Sequence, residues 1–521
     1  MSDQIRKSLQ ELQERKAYLE DKNRPKAIAK RHKKGLRTTR ENIQDLCDND
    51  SFVEYGGLLL AAQRGRKSMQ ELKEQTPADG LITGIGSING QWFEDKAAQC
   101  LVWSYDYTVL AGTQGAFNHK KLDRMLEVAS KMKHPIVFFL EGGGGRPGDV
   151  DFYPISIGGL DIKTFVEFAK LSGKMPRVAI VSGYCFAGNA ALAGCADIII
   201  ATQNVSIGMG GPAMIEGGGL GKFHPKEVGP ASVQVPNGVI DILVKDEADA
   251  VLVAKQYLSY FQGAIAYREC VEQTALRTLI PENRRFAYDV RKIIHTLADI
   301  NSVLELRPSF GRNMITALIR IDGKPMGLMA NNPKHLGGAI DSDAADKAAR
   351  FMQLCDSFGL PILSLCDTPG FMVGPDYERT ALVRHTARMF IVAAGIQVPV
   401  MTVVTRRGYG LGAMSMAAGG FHEPLFTIAW DSGEFGAMNL EGAVRLGFKK
   451  ELEAVPEGDE RHALYEKLLQ KAYQQGQAVN AAAVMEIDDV IDPKNTRTWI
   501  IKGLNSLPET GLASGRYIDS W

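Results

Sequence analysis

Several features that would place this chain in a common functional class are missing from its sequence. It has no CxxC pair, and its 7 cysteines are scattered and odd in number. A zinc ribbon is therefore excluded, and reduced thiols in a cytosolic protein are expected. The 60 basic residues balance the 60 acidic residues. This balance gives no electrostatic basis for a nucleic acid or a membrane surface as the main partner.

Signals for a membrane or for export are also missing. No uninterrupted apolar run approaches the roughly 18 residues of a membrane-spanning helix. The start of the chain, MSDQIRKSLQ, is too polar for a signal peptide. We therefore expect a cytoplasmic protein, or one of the mitochondrial matrix if the source is eukaryotic, although no clear transit peptide is present.

No side chain stands out as a catalytic acid, base or nucleophile. Cys185 has Tyr184 and Phe186 as neighbours, which offer no basic partner, so we interpret it as a packed thiol. His385 lies in ALVRHTARMF and is interpreted as a satisfied or exposed helix histidine. No HxxxH motif or carboxylate cluster indicates a metal. Chemistry that uses backbone amides and a base carried by the substrate would need none of these groups.

What the chain does contain is one passage twice. LDRMLEVASKMKHPIVFFLEGGGG surrounds Pro135, and AADKAARFMQLCDSFGLPILSLCDTPG surrounds Pro361, 226 residues further on. The same offset pairs Lys121 with Lys347. A second block, MPRVAIVSGYCFAGNA, resembles VPVMTVVTRRGYGLGA at an offset of 223 to 224 residues. Two similar half-chains, each with strands that end in glycine loops, predict two similar domains.

The order of elements predicts the α/β class. Residues 1–75 form a charged, helical leader. Hairpins are predicted in GLITGIGSINGQ, which turns at Asn89-Gly90, and in ITALIRIDGKPMGLMANNP, which turns at Asp322-Gly323. Strand–helix–strand units follow in both halves and favour a parallel sheet. We place an N-terminal domain at 1–300, whose last part is a polar connector, and a C-terminal domain at 301–521.

The leader contains a basic run, KAIAKRHKKGLRTTR, at residues 26–40. One interpretation is a solvated face of a helix. The other is a contact to an anionic ligand, such as the phosphate of a nucleotide.

Two pairs of glycine-rich loops are the candidates for chemistry. GYCFAGN (183–189) and GYGLGA (408–413) each stand where a buried strand gives way to a helix of small residues. Free amides at a helix start bind negative charge, and two of them aimed at a thioester oxygen would stabilise an enolate. The alternative is close helix–sheet packing, which the repetition makes less favoured. EGGGGRPGD (141–149) and DTPGFMVGPD (367–376) also follow strands, where ligands gather in open α/β sheets.

At these residues the chain resembles the carboxyltransferase (beta) subunits of biotin-dependent acyl-CoA carboxylases, in the crotonase superfamily. The resemblance runs almost from end to end. The segments that carry it are HKKGLRTTRENIQDLCDNDSFVEYG (32–56), SYDYTVLAGTQG (104–115), MANNPKHLGGAIDSDAADKAARFMQLCDSFGLPILSLCDTPGFMVG (329–374) and IDDVIDPKNTR (487–497). The fold that it implies is two tandem crotonase-like (ββα spiral) domains.

The resemblance also implies a reaction and its residues. A carboxyl group would move from carboxybiotin to the α-carbon of an acyl-CoA, with acyl-CoA on the N-terminal domain and carboxybiotin on the C-terminal domain. Carried over by motif, the catalytic amides would be those of Gly188, Asn189, Gly412 and Ala413. The substrate-binding residues would be Gly143, Gly144, Gly145, Arg146 and Ser415. The biotin-binding residues would be Tyr409, Gly410, Gly370 and Phe371, and no metal is expected.

The chain departs from the family pattern at three places, one of which is Ser415, at a position tied to acyl-chain preference where other residue types are usual. The second glycine of the first oxyanion loop is here Asn189, and DSGGAR is here EGGGGR at 141–146, which keeps Arg146. The Asn189 amide survives the change, and we expect its side chain to enter the site. Together with Ser415 it would then shape which acyl group fits.

The resemblance finally implies partners. The chain has no ATP-grasp signature and no biotinyl Met-Lys-Met motif. A biotin carboxylase and a biotin carrier would therefore be separate subunits or other parts of a longer polypeptide. The family assembly is a homo-hexamer with active sites between subunits. Two alternatives stay open: the decarboxylase subunit of a biotin-dependent sodium pump, and a non-catalytic scaffold that binds acyl-CoA.

Overall fold

The chain folds into two compact units. The computed structural model describes residues 6–152, 159–284, 286–508 and 511–521. The first unit is Met1–Gln262 with Ser520, and the second is Gly263–Asp519 with Trp521. None of the described helices combines the length and the apolar character needed to cross a membrane.

Within the described residues, each unit is built on one mixed eight-stranded sheet. The strands of the first unit are β1 (Val53–Tyr55), β2 (Leu81–Ser87), β3 (Gln99–Tyr105), β4 (Ile136–Gly142), β5 (Arg177–Phe186), β6 (Ile198–Thr202), β7 (Ser206–Gly208) and β8 (Ile242–Val244). Their order is β1-β2-β3-β4-β5-β6-β8, and β7 pairs with the end of β5. The pairs from β1 to β3 are antiparallel and those from β3 onward are parallel.

The second sheet repeats this plan. Its strands are β9 (Leu304–Leu306), β10 (Met314–Ile321), β11 (Lys324–Asn331), β12 (Ile362–Thr368), β13 (Val400–Tyr409), β14 (Phe426–Trp430), β15 (Glu434–Gly436) and β16 (Asp489–Ile491). The order is β9-β10-β11-β12-β13-β14-β16, and β15 pairs with the end of β13. The predicted α/β class and the internal repeat are therefore confirmed.

Helices flank both sheets. In the first unit they are α1 (Lys7–Ala17), α2 (Pro25–His32), α3 (Thr39–Leu46), α4 (Met69–Gln75), α5 (Asp95–Ala98), α6 (Ala116–Met132), α7 (Thr164–Ala169), α8 (Gly188–Gly194), α9 (Pro212–Gly217), α10 (Ala231–Gln234) and α11 (Glu247–Gln262). In the second unit they are α12 (Val290–Leu297), α13 (Ser342–Phe358), α14 (Pro375–Glu378), α15 (Leu382–Ala393), α16 (Gly410–Met416), α17 (Leu440–Gly447), α18 (Lys449–Glu453), α19 (Asp459–Gln475), α20 (Ala478–Ala483) and α21 (Thr496–Ser506). Short 3-10 helices lie at Asp21–Asn23, Pro77–Gly80, Leu110–Gly112, Pro225–Glu227, Gln273–Thr278, Leu336–Gly338 and Pro493–Asn495.

The two predicted hairpins differ in their turns. Asp322 and Gly323 have φ of 55° and 75°, the backbone of a tight two-residue turn, and they join β10 directly to β11. Asn89 also has a positive φ, of 65°. The chain then forms α5 before β3 begins, so β2 and β3 pair as predicted but through a longer connection than a turn at Asn89-Gly90.

The units divide earlier in the chain than the boundary at residue 301 that the sequence suggests. The segment after Gln262 is polar on average, which is why it resembles a connector. In the structure, however, Leu276, Val290 and Ile294 are buried in the core of the second unit together with residues of β10 and β11. Burial of these few apolar side chains attaches the segment to the second unit.

A buried lysine occupies the same place in both units. Lys347 on α13 donates to the carbonyl oxygens of Arg307, Phe310 and Met314 at 2.8, 3.0 and 2.7 Å. Lys121 on α6 likewise donates to the carbonyls of Ala78 and Leu81. Each ammonium group therefore ties the start of a hairpin to the helix behind the sheet. A buried carbonyl without a donor is costly, so these lysines secure the backbone there.

We predict that Lys347→Met lowers the free energy of unfolding of the second unit by about 1–3 kcal/mol, because three buried carbonyls lose their donor. Thermal and urea unfolding would measure it. Lys450→Met, at an exposed position on α18, is the control and should change stability by less than about 0.5 kcal/mol. Equal stability of the two variants would contradict the assigned role.

Candidate active site

The first glycine loop stands at the carboxyl end of the first sheet. β5 ends at Phe186, Ala187 has φ 52° and ψ −122°, and α8 begins at Gly188. The first N–H groups of a helix have no partner within it. Gly188 is half-buried, whereas Asn189 is buried. The two residues predicted as oxyanion donors thus lie in the first turn of a helix, where amides are free to bind an anion.

The structure brings the loop EGGGG against this helix start. A Cβ added to Gly144 would lie 2.7 Å from the Cβ of Ala187. A Cβ added to Gly188 would collide with the side-chain oxygen of Gln114. Gly143 and Gly144 are half-buried and Gly145 is exposed. Of the predicted substrate-binding glycines, Gly144 therefore lies against the helix start at a distance that only glycine permits, whereas a Cβ on Gly143 would make an ordinary contact and one on Gly145 would meet no neighbour.

Arg146 is held by the protein itself. Its guanidinium pairs with Asp79 at 2.5 Å and with Asp149 at 3.4 Å, and it donates to the carbonyl of Thr113 at 2.9 Å. Its side chain is buried. This geometry favours a part in holding the glycine loop in place, and a direct contact between Arg146 and a substrate stays a prediction.

The expectation for the Asn189 side chain needs correction. Its amide nitrogen donates to the carbonyls of Gly112 and Glu141, both at 3.1 Å, and its oxygen accepts from Gln114 at 2.8 Å. The side chain is fully buried and is turned into the wall of the loop. Because its three hydrogen bonds all go to the wall, the side chain does not enter the space beside the free amides.

The basic run splits into two groups. Arg31 is buried and forms an ion pair with Glu141 at 2.6 Å, while Glu247 lies 3.8 Å away. Burial raises the pKa of Glu141, and Arg31 offsets this only in part. Lys26, Lys30, Lys33 and Lys34 are exposed, and they do not share the role of Arg31. The sequence did not predict the Arg31–Glu141 pair, because Arg31 stands among other basic residues and its partner is 110 residues away in the chain.

The second glycine loop has the same construction. β13 ends at Tyr409, Gly410 has φ 56°, and α16 begins there. A Cβ added to Gly412 would lie 2.7 Å from the backbone of Gly370 and 3.0 Å from the amide nitrogen of Phe371. The structure thus brings together the loops after β12 and β13, both of which the sequence analysis singled out as candidate ligand loops. Gly412 and Ala413 are buried and are the third and fourth residues of α16. The Gly412 N–H therefore has no partner within the helix, whereas the Ala413 N–H is in position for the first bond within it, to the carbonyl of Tyr409.

Two other predicted residues of this loop are satisfied by the protein. The Ser415 hydroxyl donates to the carbonyl of Gly412 at 2.8 Å and is fully buried. The Tyr409 hydroxyl donates to Glu434 at 2.8 Å. Both side chains help to shape the start of α16. Ligand contacts through Ser415, Tyr409, Gly410, Gly370 or Phe371 stay predictions.

A buried carboxylate organises the end of β12. Asp367 accepts from Arg406 Nε at 3.0 Å and from Arg407 Nε at 2.7 Å. Burial alone would raise the pKa of Asp367, but Arg407 and Arg406 outweigh it and hold the pKa below its ordinary value. Asp367 is the repeat partner of Glu141, so both units place a neutralised carboxylate at this point. The dipeptide Arg406-Arg407, just before the loop, is the feature of the sequence that could have indicated a buried carboxylate nearby.

A cavity opens beside the second loop. Its volume is about 790 Å³, which lies within the range of roughly 300–1,000 Å³ typical of pockets for whole small molecules. Its wall includes the loop residues Gly408 and Gly410 and the apolar side chains of Met414, Phe421 and Phe435. The second loop therefore borders a space that is large enough for a ligand.

Neither of the two side chains that the sequence analysis considered as catalytic groups, Cys185 and His385, is free to act as a nucleophile or base. Cys185 is fully buried, and burial raises the pKa of its thiol, so it is a packed thiol. His385 lies 2.7 Å from Asp346 on α13. No group of three or more potential metal ligands occurs among the described residues. The chemistry that both loops offer is stabilisation of negative charge by backbone amides.

Comparisons with known proteins agree with this geometry. Residues 30–512 match the family model described as the carboxyl transferase domain. The methylmalonyl-CoA carboxyltransferase 12S subunit of Propionibacterium freudenreichii subsp. shermanii is 32% identical, over 95% of this chain and 93% of that protein.

Two solved structures are similar over nearly the whole chain. A single-chain, multi-domain long-chain acyl-CoA carboxylase is 53% identical with a TM-score of 0.91, over 96% of this chain and 49% of that one. This chain therefore spans about half the length of that protein. The transcarboxylase 12S crystal structure, which describes hexamer assembly and substrate binding to a multienzyme core, is 28% identical with a TM-score of 0.82, over 98% of both chains.

The chain therefore belongs to the carboxyl transferase family. It is an enzyme, an acyl-CoA carboxyltransferase of the acyl-CoA carboxylase type, built from two tandem crotonase-like domains. The resemblance and the fold that the sequence indicated are confirmed.

We predict that Gly412→Ala lowers the turnover number by about 10²-fold, because the new Cβ would push α16 away from Gly370 and misplace a charge-stabilising donor. Steady-state kinetics of carboxyl transfer would measure it. Gly447→Ala is the matched control, since Gly447 is exposed and an added Cβ there would have no neighbour within 4 Å. A turnover number that both substitutions leave intact would show that the close approach is not needed.

Proposed function

We propose that this carboxyltransferase moves a carboxyl group from carboxybiotin, borne by a separate carrier, to the α-carbon of a long-chain acyl-CoA. The observation that carries the proposal is the pair of helix starts at equivalent places in the two units, each pressed against a second glycine loop. One loop would serve each substrate. The long-chain acyl group is proposed from the 53% identical carboxylase described above.

In the first unit, the amides of Gly188 and Asn189 would face the thioester oxygen. Negative charge develops on that oxygen as the α-proton leaves, and preorganised donors stabilise this charge more than that of the ground state. A nearby side-chain base is not required for this role of the loop.

In the second unit, the sequence predicts the amides of Gly412 and Ala413 as donors to the ureido oxygen of biotin, and of the two the Gly412 N–H is the one without a partner in α16. The residues fit such a group, because a neutral oxygen acceptor suits a free amide at a helix start. The wall of the adjoining cavity combines apolar side chains, such as Met414 and Phe435, with polar ones, such as Asn480. When bound, biotin supplies the carboxyl group and then a ureido nitrogen that can accept the α-proton. The protein's part is to orient both partners and to hold the departing CO₂ away from water.

The exposed lysines of the basic run support an acyl-CoA site on the first unit. Lys26, Lys30, Lys33 and Lys34 line the surface of α2 and the turn after it. Lys34 Nζ lies 5.8 Å from the centre of the Tyr107 ring. A nucleotide with phosphates and a flat base would find both charge and an aromatic surface here. A solvated helix face remains the alternative interpretation of these lysines.

The reaction and its substrate class are tested together by a panel of acyl-CoAs. With ATP, bicarbonate and the cognate biotin carboxylase and carrier, kcat/KM should rise by about 10-fold or more from acetyl-CoA to palmitoyl-CoA. An apolar site gains roughly 0.8 kcal/mol for each buried methylene. A preference for acetyl- or propionyl-CoA would exclude the long-chain substrate, and absence of transfer from a charged carrier to every acyl-CoA would exclude the reaction.

We further propose a homo-hexamer in which each active site combines the first unit of one subunit with the second unit of another. Each unit offers one helix start, for one of the two substrates, and the 28% identical 12S structure is a hexamer. Sedimentation at micromolar concentration should therefore give about six times the chain mass of 56.9 kDa. A monomer with full activity would contradict this assembly.

A further inference from the structure

Asn189 and Gln114 form a buried amide pair behind the first loop. Asn189 Nδ2 donates to Gly112 O and Glu141 O, both at 3.1 Å, and Gln114 Nε2 donates to Asn189 Oδ1 at 2.8 Å. Asn189 is 0% exposed and Gln114 is 4% exposed. One side chain on α8 thus joins the 3-10 helix before α6, the end of β4 and the start of α8.

Only an asparagine satisfies these partners. The nitrogen must face two carbonyl oxygens, and the oxygen must face the Gln114 amide. Aspartate would set a carboxylate against two carbonyls, and alanine would leave two acceptors and one donor unpaired in a site closed to water. The orientation of the Asn189 amide is therefore determined by its surroundings.

The second unit is an internal comparison. Gly338 is the repeat partner of Gly112, and both have a positive φ, of 83° and 63°. A Cβ on Gly338 would lie 2.5 Å from the carbonyl of Asp367, and one on Gly112 would collide with the carbonyl of Glu141. In both units, then, the backbone of a short 3-10 helix crosses the end of a strand at a distance that only glycine permits; we call this contact the backbone crossing.

The side chains around that crossing differ between the units. The residues equivalent to Gln114 and Asn189 are Ile340 and Ala413, neither of which can hydrogen-bond through its side chain. There, Asn331 on β11 holds the strand end by accepting from the Asp367 amide at 3.1 Å. The amide pair is therefore particular to the first unit and is not needed to build the fold.

We propose that Asn189 and Gln114 are positioning residues that aim the first-loop amides. The side chain and the backbone N–H belong to the same residue, so anchoring the Asn189 side chain at three points restricts the direction of its N–H. Gln114 adds a second restraint, because its side-chain oxygen packs against Gly188, 2.1 Å from where a Cβ of that residue would be. The inference rests on the proposed function, in which these amides stabilise charge on the thioester oxygen.

The experiment compares Asn189→Ala with a variant that copies the second unit, Gln114→Ile with Asn189→Ala. Asn189→Ala should lower kcat by about 10- to 100-fold, as expected for a small misplacement of catalytic groups. KM for palmitoyl-CoA should change by less than roughly 3-fold, because the lost interaction acts mainly in the transition state. In the double variant the melting temperature should recover toward wild type, while kcat stays low.

Two further variants separate positioning from general stability. Asn118→Ala removes another fully buried asparagine of the first unit, which donates to Asp79 O at 3.2 Å. It should lower the melting temperature but leave kcat within about 3-fold of wild type. Gln114→Glu keeps the shape of the side chain and removes the donor to Asn189, so it should lower kcat in the same direction as Asn189→Ala.

Three outcomes would overturn the inference: full kcat in Asn189→Ala, recovery of both kcat and melting temperature in the double variant, or equal kcat losses in Asn189→Ala and Asn118→Ala. If wild type transfers no carboxyl group at all, the proposed function fails instead. In that case hydrogen exchange at the amides of residues 188 and 189 tests the positioning role independently of activity. Faster exchange there in Asn189→Ala than in Asn118→Ala supports positioning, and equal exchange contradicts it.

Discussion

Close approach between two glycine-lined backbones is the constraint on which the rest of each unit depends. Gly144 lies against Ala187 in the first unit, and Gly412 lies against Gly370 in the second. Such an approach requires that no Cβ intervene. It places a helix start at the carboxyl edge of a sheet, where free amides remain open to a ligand. The sheets, the buried lysines and the surrounding helices serve to hold these two backbones together.

Buried charge reinforces each loop in a different way. Glu141 is neutralised by Arg31 from the leader helix α2, whereas its repeat partner Asp367 is neutralised by Arg406 and Arg407 from the adjacent strand. A buried ion pair contributes little net stability, yet breaking it leaves an uncompensated charge. The carboxylates therefore specify one loop conformation more than they stabilise the fold.

In the proposed reaction the main chain supplies the hydrogen-bond donors, and the side chains hold the main chain in place. Amides are present in every sequence, so the identity of the loop residues can vary as long as the backbone path is kept. Asn189 illustrates this, since its side chain is turned into the wall while its N–H remains in the first turn of α8.

The sequence by itself determined the repeat, the α/β class, the family and the pairing of glycine loops, because strand periodicity, turn residues and motif spacing are local signals. Only the tertiary structure decided the direction of the Asn189 side chain and the partners of Arg146 and Arg31. Those partners lie far away in the chain: Asp79 is 67 residues from Arg146, and Glu141 is 110 residues from Arg31. The unit boundary after Gln262 also depends on contacts between residues that are far apart in the chain, since a few buried side chains of the next segment pack on distant strands. Long-range pairing of this kind depends on which surfaces the folded sheets bring together, and a single sequence carries no local mark of it.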